Sequence, residues 1–549
     1  MCSFRVVLFV TIFGFAYSNS APIIKLPYGQ LQGSIVDNYN SYTNIRYAEP
    51  PVRFEPSKPH DTRWNGIQNA TGEMLYCAQF DGFFKTLRGQ EDCLFLNVFT
   101  PKNTEDKKLL PVFVFIHGGA FMFGGAGFYS PKIFMSEGGM IVVSLNYRLG
   151  PLGFLTTEDG VIPGNLGLKD QLLALRWIKT NIHHFGGDPD KILLAGQSAG
   201  AASVHLQMLR KETESLVSAA IAISGTALNP WVMQINPKEK TDSLVKHLNC
   251  SSVSHGKDIK SCLQDQPLEK LHTAVMKMLM FLDSPFNLFG AVVEREDTPG
   301  AFLTAEPKKL IERGEIANVP WMVTMTTEEG AYNAGSLLKK DDNGVEHIEE
   351  LNERWLELAP YLLFYYNEPC CQCKQKLSES LREMYMGTDR FSTKSYLRLQ
   401  KMFTDVVFAN GILEAIKLHR MFGAGPVYGY VYSNSHKNGV GNFLASNDDV
   451  EFGATHGDDE ALFLPLTIST NSTSSKTNDL KISKYFVKMF KSFALKGIPS
   501  FKDTLLPGNK NNLQPMQFLQ IFEKNYCFGP WESSNNQECQ KLSNQCFDY

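Results

Sequence analysis

The sequence lacks the features that would suit a nucleic-acid-binding or membrane-spanning protein. Its 549 residues carry 53 Lys and Arg against 57 Asp and Glu, for a net charge of −4, and contain no long basic run. This balance disfavours nucleic acid as a partner. Beyond the N-terminal segment, no unbroken apolar run has the roughly 20 residues of a transmembrane helix. No membrane anchor is therefore expected, and the C-terminus shows no retention tetrapeptide, prenylation box or hydrophobic tail.

The N-terminus has the pattern of a secretory signal peptide. Arg5 precedes the apolar run Val6 to Ala16, and the small residues Ser18 and Ser20 follow. A run this short favours cleavage over anchoring. We expect a signal peptide over residues 1–18, with cleavage after Ser20 equally compatible, and a secreted, extracellular domain over residues 21–549.

The cysteine count agrees with export. Eleven cysteines are present, and loss of Cys2 with the signal leaves ten, an even number that favours disulfides in an oxidising compartment. Two pairs flank short loops: Cys77 with Cys93, and Cys250 with Cys262. Six others could form three further bridges of undetermined connectivity: Cys370, Cys371, Cys373, Cys527, Cys539 and Cys546. No histidine lies beside this cluster, so neither a metal nor another cofactor is expected.

Three Asn-X-Ser/Thr sequons mark candidate surface glycosylation sites. They are Asn69, Asn249 and Asn471. The cysteine that follows Asn249 makes it the weakest of the three.

Short apolar runs alternate with helical patterns, which is typical of a large, mostly parallel sheet covered by helices on both faces. The predicted strands are 112–116, 141–145, 191–195, 219–223, 321–325 and 427–431. Between the second and third, apolar residues from Leu168 to Ile182 recur at three- and four-residue steps and predict a helix with one buried face. No internal repeat or linker divides the chain, so a single α/β domain is expected.

A Gly-Gln-Ser-Ala-Gly run, Gly196–Gly200, lies between the strand at 191–195 and a helix-forming segment. Glycines permit a sharp strand-to-helix turn that would expose Ser198 at the carboxyl end of the sheet. The alternative is a tight turn whose serine only caps the helix.

The segment His117–Phe121 follows another predicted strand. Its small residues would let the backbone N–H groups of Gly119 and Ala120, together with that of Ala199, form an oxyanion hole. A glycine-rich loop without a catalytic role is the alternative.

A nucleophilic serine also needs a base and an orienting acid. His456 lies in a polar, glycine-bearing loop far downstream, and Glu329 follows the strand at 321–325. The order Ser198, Glu329, His456 is the order of an α/β-hydrolase triad. Spacing alone does not separate Glu329 from Glu328.

Six further blocks are Tyr47–Pro51, Arg53-Phe54, Glu91–Val98, Asn146–Gly150, Gly164–Gln171 and Phe185–Pro189. With the motifs above, they resemble the carboxylesterase/cholinesterase family of α/β-hydrolases over almost the whole mature chain. The resemblance implies an α/β-hydrolase fold and an acid immediately before glycine, which selects Glu329. It also implies the disulfides Cys77–Cys93 and Cys250–Cys262 and the structural ion pairs Arg53–Glu91 and Arg148–Asp170.

Two departures from the cholinesterases bear on the substrate. Neutral Gln197 stands where they carry a glutamate, and the loop between Cys77 and Cys93 has no tryptophan to stack on choline, only Phe80, Phe83 and Phe84. Both disfavour choline esters. Trp231 resembles an acyl-pocket residue of the family, with core packing as an equal alternative. Arg46 replaces the family's usual proline.

The leading hypothesis is therefore a secreted serine carboxylesterase acting on small, neutral, apolar esters. The Gly-Gln-Ser-Ala-Gly run resembles that of insect juvenile hormone esterases and of other insect esterases, including antennal ones, so juvenile hormone, odorant, dietary and xenobiotic esters all remain candidates. The alternatives are a non-catalytic neuroligin-like adhesion protein and a stoichiometric ester scavenger. The sequence does not indicate an oligomeric state.

Overall fold

A computed structural model describes most of the chain. The described residues are 21–80, 86–102, 108–250, 255–341, 343–435, 439–445, 450–467, 477–509, 515–531 and 546–548. The expected signal peptide, Phe83, Phe84, Asn471 and Cys539 lie outside these ranges.

A 12-stranded sheet organises the fold. The strands of the chain are β1 (Ile23–Leu26), β2 (Gly29–Gln32), β3 (Ser34–Val36), β4 (Tyr39–Arg46), β5 (Ile67–Asn69), β6 (Phe95–Pro101), β7 (Leu110–Ile116), β8 (Ile141–Leu145), β9 (Gly187–Gln197), β10 (Ala219–Ile223), β11 (Trp321–Thr326), β12 (Val427–Tyr432), β13 (Ser500–Phe501), β14 (Thr504–Leu505), β15 (Phe518–Ile521), β16 (Asn525–Gly529) and β17 (Cys546–Asp548). The large sheet has the order β17-β16-β15-β12-β11-β10-β9-β7-β8-β6-β4-β3. Pairing is parallel from β8 to β15 and antiparallel towards both edges.

Helices cover both faces of this sheet. They are α1 (Lys132–Glu137), α2 (Gly150–Phe154), α3 (Leu166–Asn181), α4 (Ala199–Met208), α5 (Thr213–Leu216), α6 (Pro237–His247), α7 (Gly256–Gln264), α8 (Leu268–Met276), α9 (Pro307–Glu312), α10 (Ala331–Ala334), α11 (His347–Leu362), α12 (Cys371–Met386), α13 (Tyr396–Phe403), α14 (Asn410–Phe422), α15 (Val440–Ala445) and α16 (Thr477–Lys496). A π-helical turn, Thr404–Ala409, joins α13 to α14. Within the described ranges, no helix is long and apolar enough to cross a membrane.

The alternation of side chains along β7 explains the two-sided packing. Val112 and Val114 belong to the core on the α3 face, whereas Phe113 and Phe115 belong to the core on the α16 face. The ring of Phe113 lies 5.6 Å from that of Phe490 of α16. Because both faces are buried, the central strands read as continuous apolar runs.

All six predicted strands are present, at most four residues longer at either end than expected. The predicted helix ends at Asn181, since residues 182–185 form a tighter 3-10 turn, and β9 already begins at Gly187. The sheet is parallel only in its centre, because the chain forms antiparallel connections at both edges. Arg46, unexplained by the sequence, forms a bidentate ion pair with Asp92 at 2.7 and 2.8 Å and stacks over Phe95.

Several disulfides join cysteines that are close in the sequence, and Cys527 is also disulfide-bonded. The structure contains the disulfides Cys77–Cys93 and Cys250–Cys262. In the six-cysteine cluster, Cys370 bonds to Cys373 because one helical turn brings their Cα atoms to 5.1 Å. Cys371 keeps an exposed free thiol, so the expectation that the whole cluster forms bridges is wrong for this residue.

Two of the three sequons can be located in the structure. The side chains of Asn69 and Asn249 are exposed, the first at the end of β5 and the second directly before the buried, disulfide-bonded Cys250. Both are therefore accessible to modification, and glycosylation at these positions stays a prediction.

Candidate active site

Ser198 occupies a strained turn between β9 and α4. Its backbone has φ 58° and ψ −121°, a conformation that side chains rarely adopt outside functional turns. The turn is possible because its neighbours are glycines: a Cβ on Gly196 would lie 2.4 Å from the Gly200 carbonyl oxygen, and one on Gly200 would lie 2.0 Å from that of Ile116. The serine side chain is partly exposed at the carboxyl end of the sheet, where the sequence placed it.

The loop after β7, the glycine loop (residues 117–125), lies directly against Ser198. A Cβ built on Gly118 would be 3.1 Å from Ser198 Cβ. Three successive residues have positive φ: Gly119 at 101°, Ala120 at 55° and Phe121 at 60°. The Gly119 carbonyl is turned inwards and accepts two loop N–H groups at 2.9 Å.

The N–H groups of Gly119, Ala120 and Ala199 donate to no acceptor among the described residues. Unpaired backbone donors are unusual in such a buried setting. Three of them beside one partly exposed hydroxyl form the arrangement that a negatively charged oxygen would require.

Glu329 and His456 contact each other, and His456 also contacts Gln197, the residue before the serine. His456 Nδ1 lies 2.5 Å from Glu329 Oε2, and both side chains are almost fully buried. The other carboxylate oxygen of Glu329 accepts the Thr326 N–H at 2.8 Å, which fixes the carboxylate at the end of β11. An orienting carboxylate on Nδ1 leaves Nε2 as the proton acceptor of the ring.

Glu328 takes no part in this contact. Its carboxylate bonds to the hydroxyl of its neighbour Thr327, and burial raises its pKa above the ordinary value. Its backbone N–H donates to the Ala454 carbonyl at 2.9 Å, so Glu328 helps to dock the loop that carries His456.

The partner of His456 Nε2 is Gln197, at 3.0 Å from its side-chain nitrogen. Among the described side chains, no hydrogen bond joins Ser198 Oγ to His456. Catalytic hydrogen bonds are often long before substrate binds. Gln197, which the sequence singled out for its missing charge, thus contacts the candidate base itself.

Aromatic side chains enclose His456. Phe408, from the π-helical turn, and Tyr332 have ring centroids 4.7 and 5.2 Å from the imidazole. Trp231 is buried between Phe121 and Phe408, and its indole N–H donates to the Val407 carbonyl at 3.1 Å. Trp231 therefore lies beside the glycine loop and also belongs to the core. Its position is compatible with an acyl-pocket role and with core packing alone.

Two buried acids that the sequence did not assign lie beyond the histidine. Burial, together with the charge of Glu329, raises the pKa of Asp459 to about 7, and the Tyr430 hydroxyl donates to it at 2.7 Å. Burial raises the pKa of Glu460 well above its usual value, and Asp459 adds to the effect. Nothing in the local sequence signals that Asp459 and Glu460 are buried.

The described part of the chain contains no group of three or more His, Cys, Asp or Glu side chains able to hold a metal ion.

Comparisons with known proteins identify the family of the chain. The model of the carboxylesterase family matches residues 20–542. The chain belongs to the carboxylesterase family. Esterase-5A of Drosophila miranda is 43% identical over 512 residues, covering 91% of each protein. Esterase P of Drosophila melanogaster is 42% identical over 515 residues, covering 92% of this chain and 94% of the relative.

A solved structure has the same fold as this carboxylesterase. The crystal structure of juvenile hormone esterase from Manduca sexta, with OTFP covalently attached, superposes with a TM-score of 0.79 at 24% identity over 96% of this chain and 100% of the other. The expected α/β-hydrolase fold and family are thereby confirmed. The chain is a carboxylic ester hydrolase, so the non-catalytic adhesion alternative does not apply.

Proposed function

We propose that this carboxylesterase is a secreted serine esterase that hydrolyses neutral, apolar esters through an acyl-enzyme on Ser198. The contact that carries the proposal is the 2.5 Å pairing of His456 Nδ1 with Glu329, together with a serine held in a strained turn. This pairing orients the imidazole and balances the positive charge that it gains on taking the serine proton.

The reaction follows from these positions. Once Gln197 has released His456 Nε2, Ser198 Oγ forms a bond to the ester carbonyl carbon while its proton passes to that nitrogen. The carbonyl oxygen gains negative charge and accepts the N–H groups of Gly119, Ala120 and Ala199. Collapse breaks the bond to the alcohol oxygen, which takes the proton from His456. Water then attacks the acyl carbon by the same sequence and releases the acid.

The surroundings favour an uncharged substrate. The rings of Phe408 and Tyr332 pack against His456, and Trp231 packs against Phe408. Gln197 supplies a neutral amide where a carboxylate would attract a cation. Phe80 is 1% exposed and so offers no open ring face to a quaternary ammonium. Juvenile hormone, odorant or pheromone esters, and dietary or xenobiotic esters are the candidates, to be ranked by kcat/KM on a panel that includes short and long acyl chains.

Ser198→Ala tests the chemistry. The variant should lose turnover of a small aryl ester by at least about 10³-fold, because activity that remains after loss of the nucleophile comes only from binding and the oxyanion donors. Ser215→Ala, an exposed serine in α5, is the matched control and should behave as wild type. Full activity in Ser198→Ala would overturn the assignment.

Burst kinetics separate an enzyme from a stoichiometric scavenger. Steady turnover after acylation supports an enzyme, and a single burst supports a scavenger. N-terminal sequencing of protein collected from the culture medium tests secretion, with Asn19 or Ala21 expected as the first residue. Retention of the chain inside the cell would contradict it.

A further inference from the structure

Among the described residues of the disulfide loop closed by Cys77 and Cys93, Gln79 contacts the glycine loop (residues 117–125, after β7) through its side chain. Gln79 is 2% exposed. Its side-chain nitrogen donates to the Gly124 carbonyl, and its side-chain oxygen accepts the Gly124 N–H at 3.5 Å. Next to it, the Phe80 N–H donates to the Met122 carbonyl at 3.0 Å. Three hydrogen bonds therefore join the two loops.

The glycine loop needs such external support because its conformation is costly. Ala120 and Phe121 have positive φ, a conformation that is unfavourable for residues with a side chain. Gly124 has φ 111°, and a Cβ there would lie 2.5 Å from the Gly118 carbonyl oxygen. A strained segment of this kind persists only when its neighbours hold it. Through Gly124, Gln79 holds the end of the glycine loop that lies farther along the chain from β7.

Covalent, hydrogen-bond and ionic contacts hold both ends of the disulfide loop. The disulfide closes the loop at its base, and the Gln79 N–H donates to the Arg88 carbonyl at 3.0 Å across the loop. Two bidentate ion pairs fix the returning strand of the loop: Arg46 with Asp92, and Arg53 with Glu91 at 2.5 and 2.6 Å. A glutamine fixed in this way can transmit the position of the disulfide loop to the glycine loop.

We propose that Gln79 is a positioning residue for ester hydrolysis: it holds the glycine loop so that the N–H groups of Gly119 and Ala120 face the oxygen that becomes negatively charged. The proposal rests on the function assigned above to Ser198. Gln79 acts through the backbone and does not touch the ester. Loss of its two bonds frees Gly124 and lets Gly119 and Ala120 turn away from the position that the oxygen takes in the transition state.

Gln79→Met is the principal test, because methionine has a similar volume and forms neither hydrogen bond. Gln90→Met is the matched control, since Gln90 lies in the same loop, is exposed, and bonds only to the Asp92 carbonyl through its side chain. Active sites are titrated with a fluorophosphonate so that kcat refers to folded, labelled protein.

In Gln79→Met, kcat should fall about 10- to 100-fold with KM changed less than about threefold, since misplacing oxyanion donors weakens only transition-state binding. Affinity for a trifluoromethyl ketone, whose adduct carries an oxyanion, should fall by the same factor. Gln90→Met should match wild type in both. A purely structural role would lower the melting temperature and the yield while leaving kcat per titrated site unchanged.

Wild-type kcat and ketone affinity in folded Gln79→Met would overturn the proposal. If that variant does not fold, Gln79→Glu decides, because it keeps the acceptor for the Gly124 N–H and loses the donor. An intermediate loss of kcat and of ketone affinity is expected, and an unchanged kcat would be contrary. Ser198→Ala measured in parallel separates the two failures: if it is inactive while both Gln79 variants are normal, only the role of Gln79 falls.

Discussion

Replacing Gly200 with alanine should push the turn that carries Ser198 away from the end of β7 and the glycine loop. The added Cβ would lie 2.0 Å from the Ile116 carbonyl oxygen and 2.8 Å from that of His117, whereas real Cβ contacts essentially never fall below 3.0 Å. Both partners are backbone atoms at the end of β7, so no side chain can rotate away. The start of α4 and the end of β7 must therefore move apart by about 1 Å, in an interior packed too densely to absorb the shift elsewhere.

That movement widens the gap between the N–H of Ala199 and those of Gly119 and Ala120. A misplacement of about 1 Å costs on the order of 10²-fold in rate. Overpacking of this kind also lowers the free energy of unfolding by about 1–3 kcal/mol. We therefore expect kcat on an aryl ester to fall about 10²-fold in a protein that still folds.

The assay compares kcat per titrated site, circular dichroism and melting temperature for Gly200→Ala and Gly72→Ala. Gly72 is a suitable control because a Cβ there would meet only the Asn44 side chain, at 3.7 Å. A Gly200→Ala enzyme with kcat within threefold of wild type would refute the reasoning, since it would mean that the two backbones can part without disturbing the donors.

Three other changes have defined outcomes. Glu329→Gln should lower kcat by on the order of 10⁴ because the imidazole loses its orienting charge, while Glu328→Gln stays within about tenfold; equal losses in the two variants would contradict the choice between them. Asp459→Asn should raise the melting temperature at pH 8 and leave it unchanged at pH 4. Because the pKa of Asp459 is raised to about 7, its stabilising protonated form is complete below about pH 4 and is lost as the pH rises through 7. Melting curves from pH 4 to 8 that run parallel in the two proteins would argue against a titrating Asp459. Gln197→Glu should raise kcat/KM for a thiocholine ester about tenfold relative to its uncharged dimethylbutyl isostere, because a carboxylate attracts the ammonium group. An unchanged ratio of kcat/KM for the two esters would show that position 197 does not set charge preference.

The sequence predicted the centre of this fold better than its edges. Strands such as β7 and β10 are buried on both faces, so they appear as short apolar runs with sharp ends. The edge strands β3 and β17 are short, and their pairing depends on distant partners and turns rather than on local pattern. Antiparallel pairing at the edges was therefore not visible.

The candidate site divides in the same way. Ser198 and the glycine loop have local signatures, because sharp turns need glycine. The contact of Gln197 with His456, the grip of Gln79 on Gly124 and the burial of Glu460 depend on residues brought together from far apart in the chain, which no short motif encodes. Family resemblance supplied the choice of Glu329 over Glu328, which spacing could not make.

The topology also sets the order in which the site is assembled. Gln197 and His456 are 259 positions apart, and Glu329 and His456 are 127 apart. The strained serine turn and its oxyanion donors belong to the first half of the chain and can form on β7 to β10. His456 lies in the segment that follows β12, and β12 itself pairs with β15 near the end of the chain. Contacts between residues this far apart in the chain are slow to form. Hydrolytic activity should therefore report on synthesis at least as far as the segment that carries His456: a chain truncated before residue 456 would lack the proposed base.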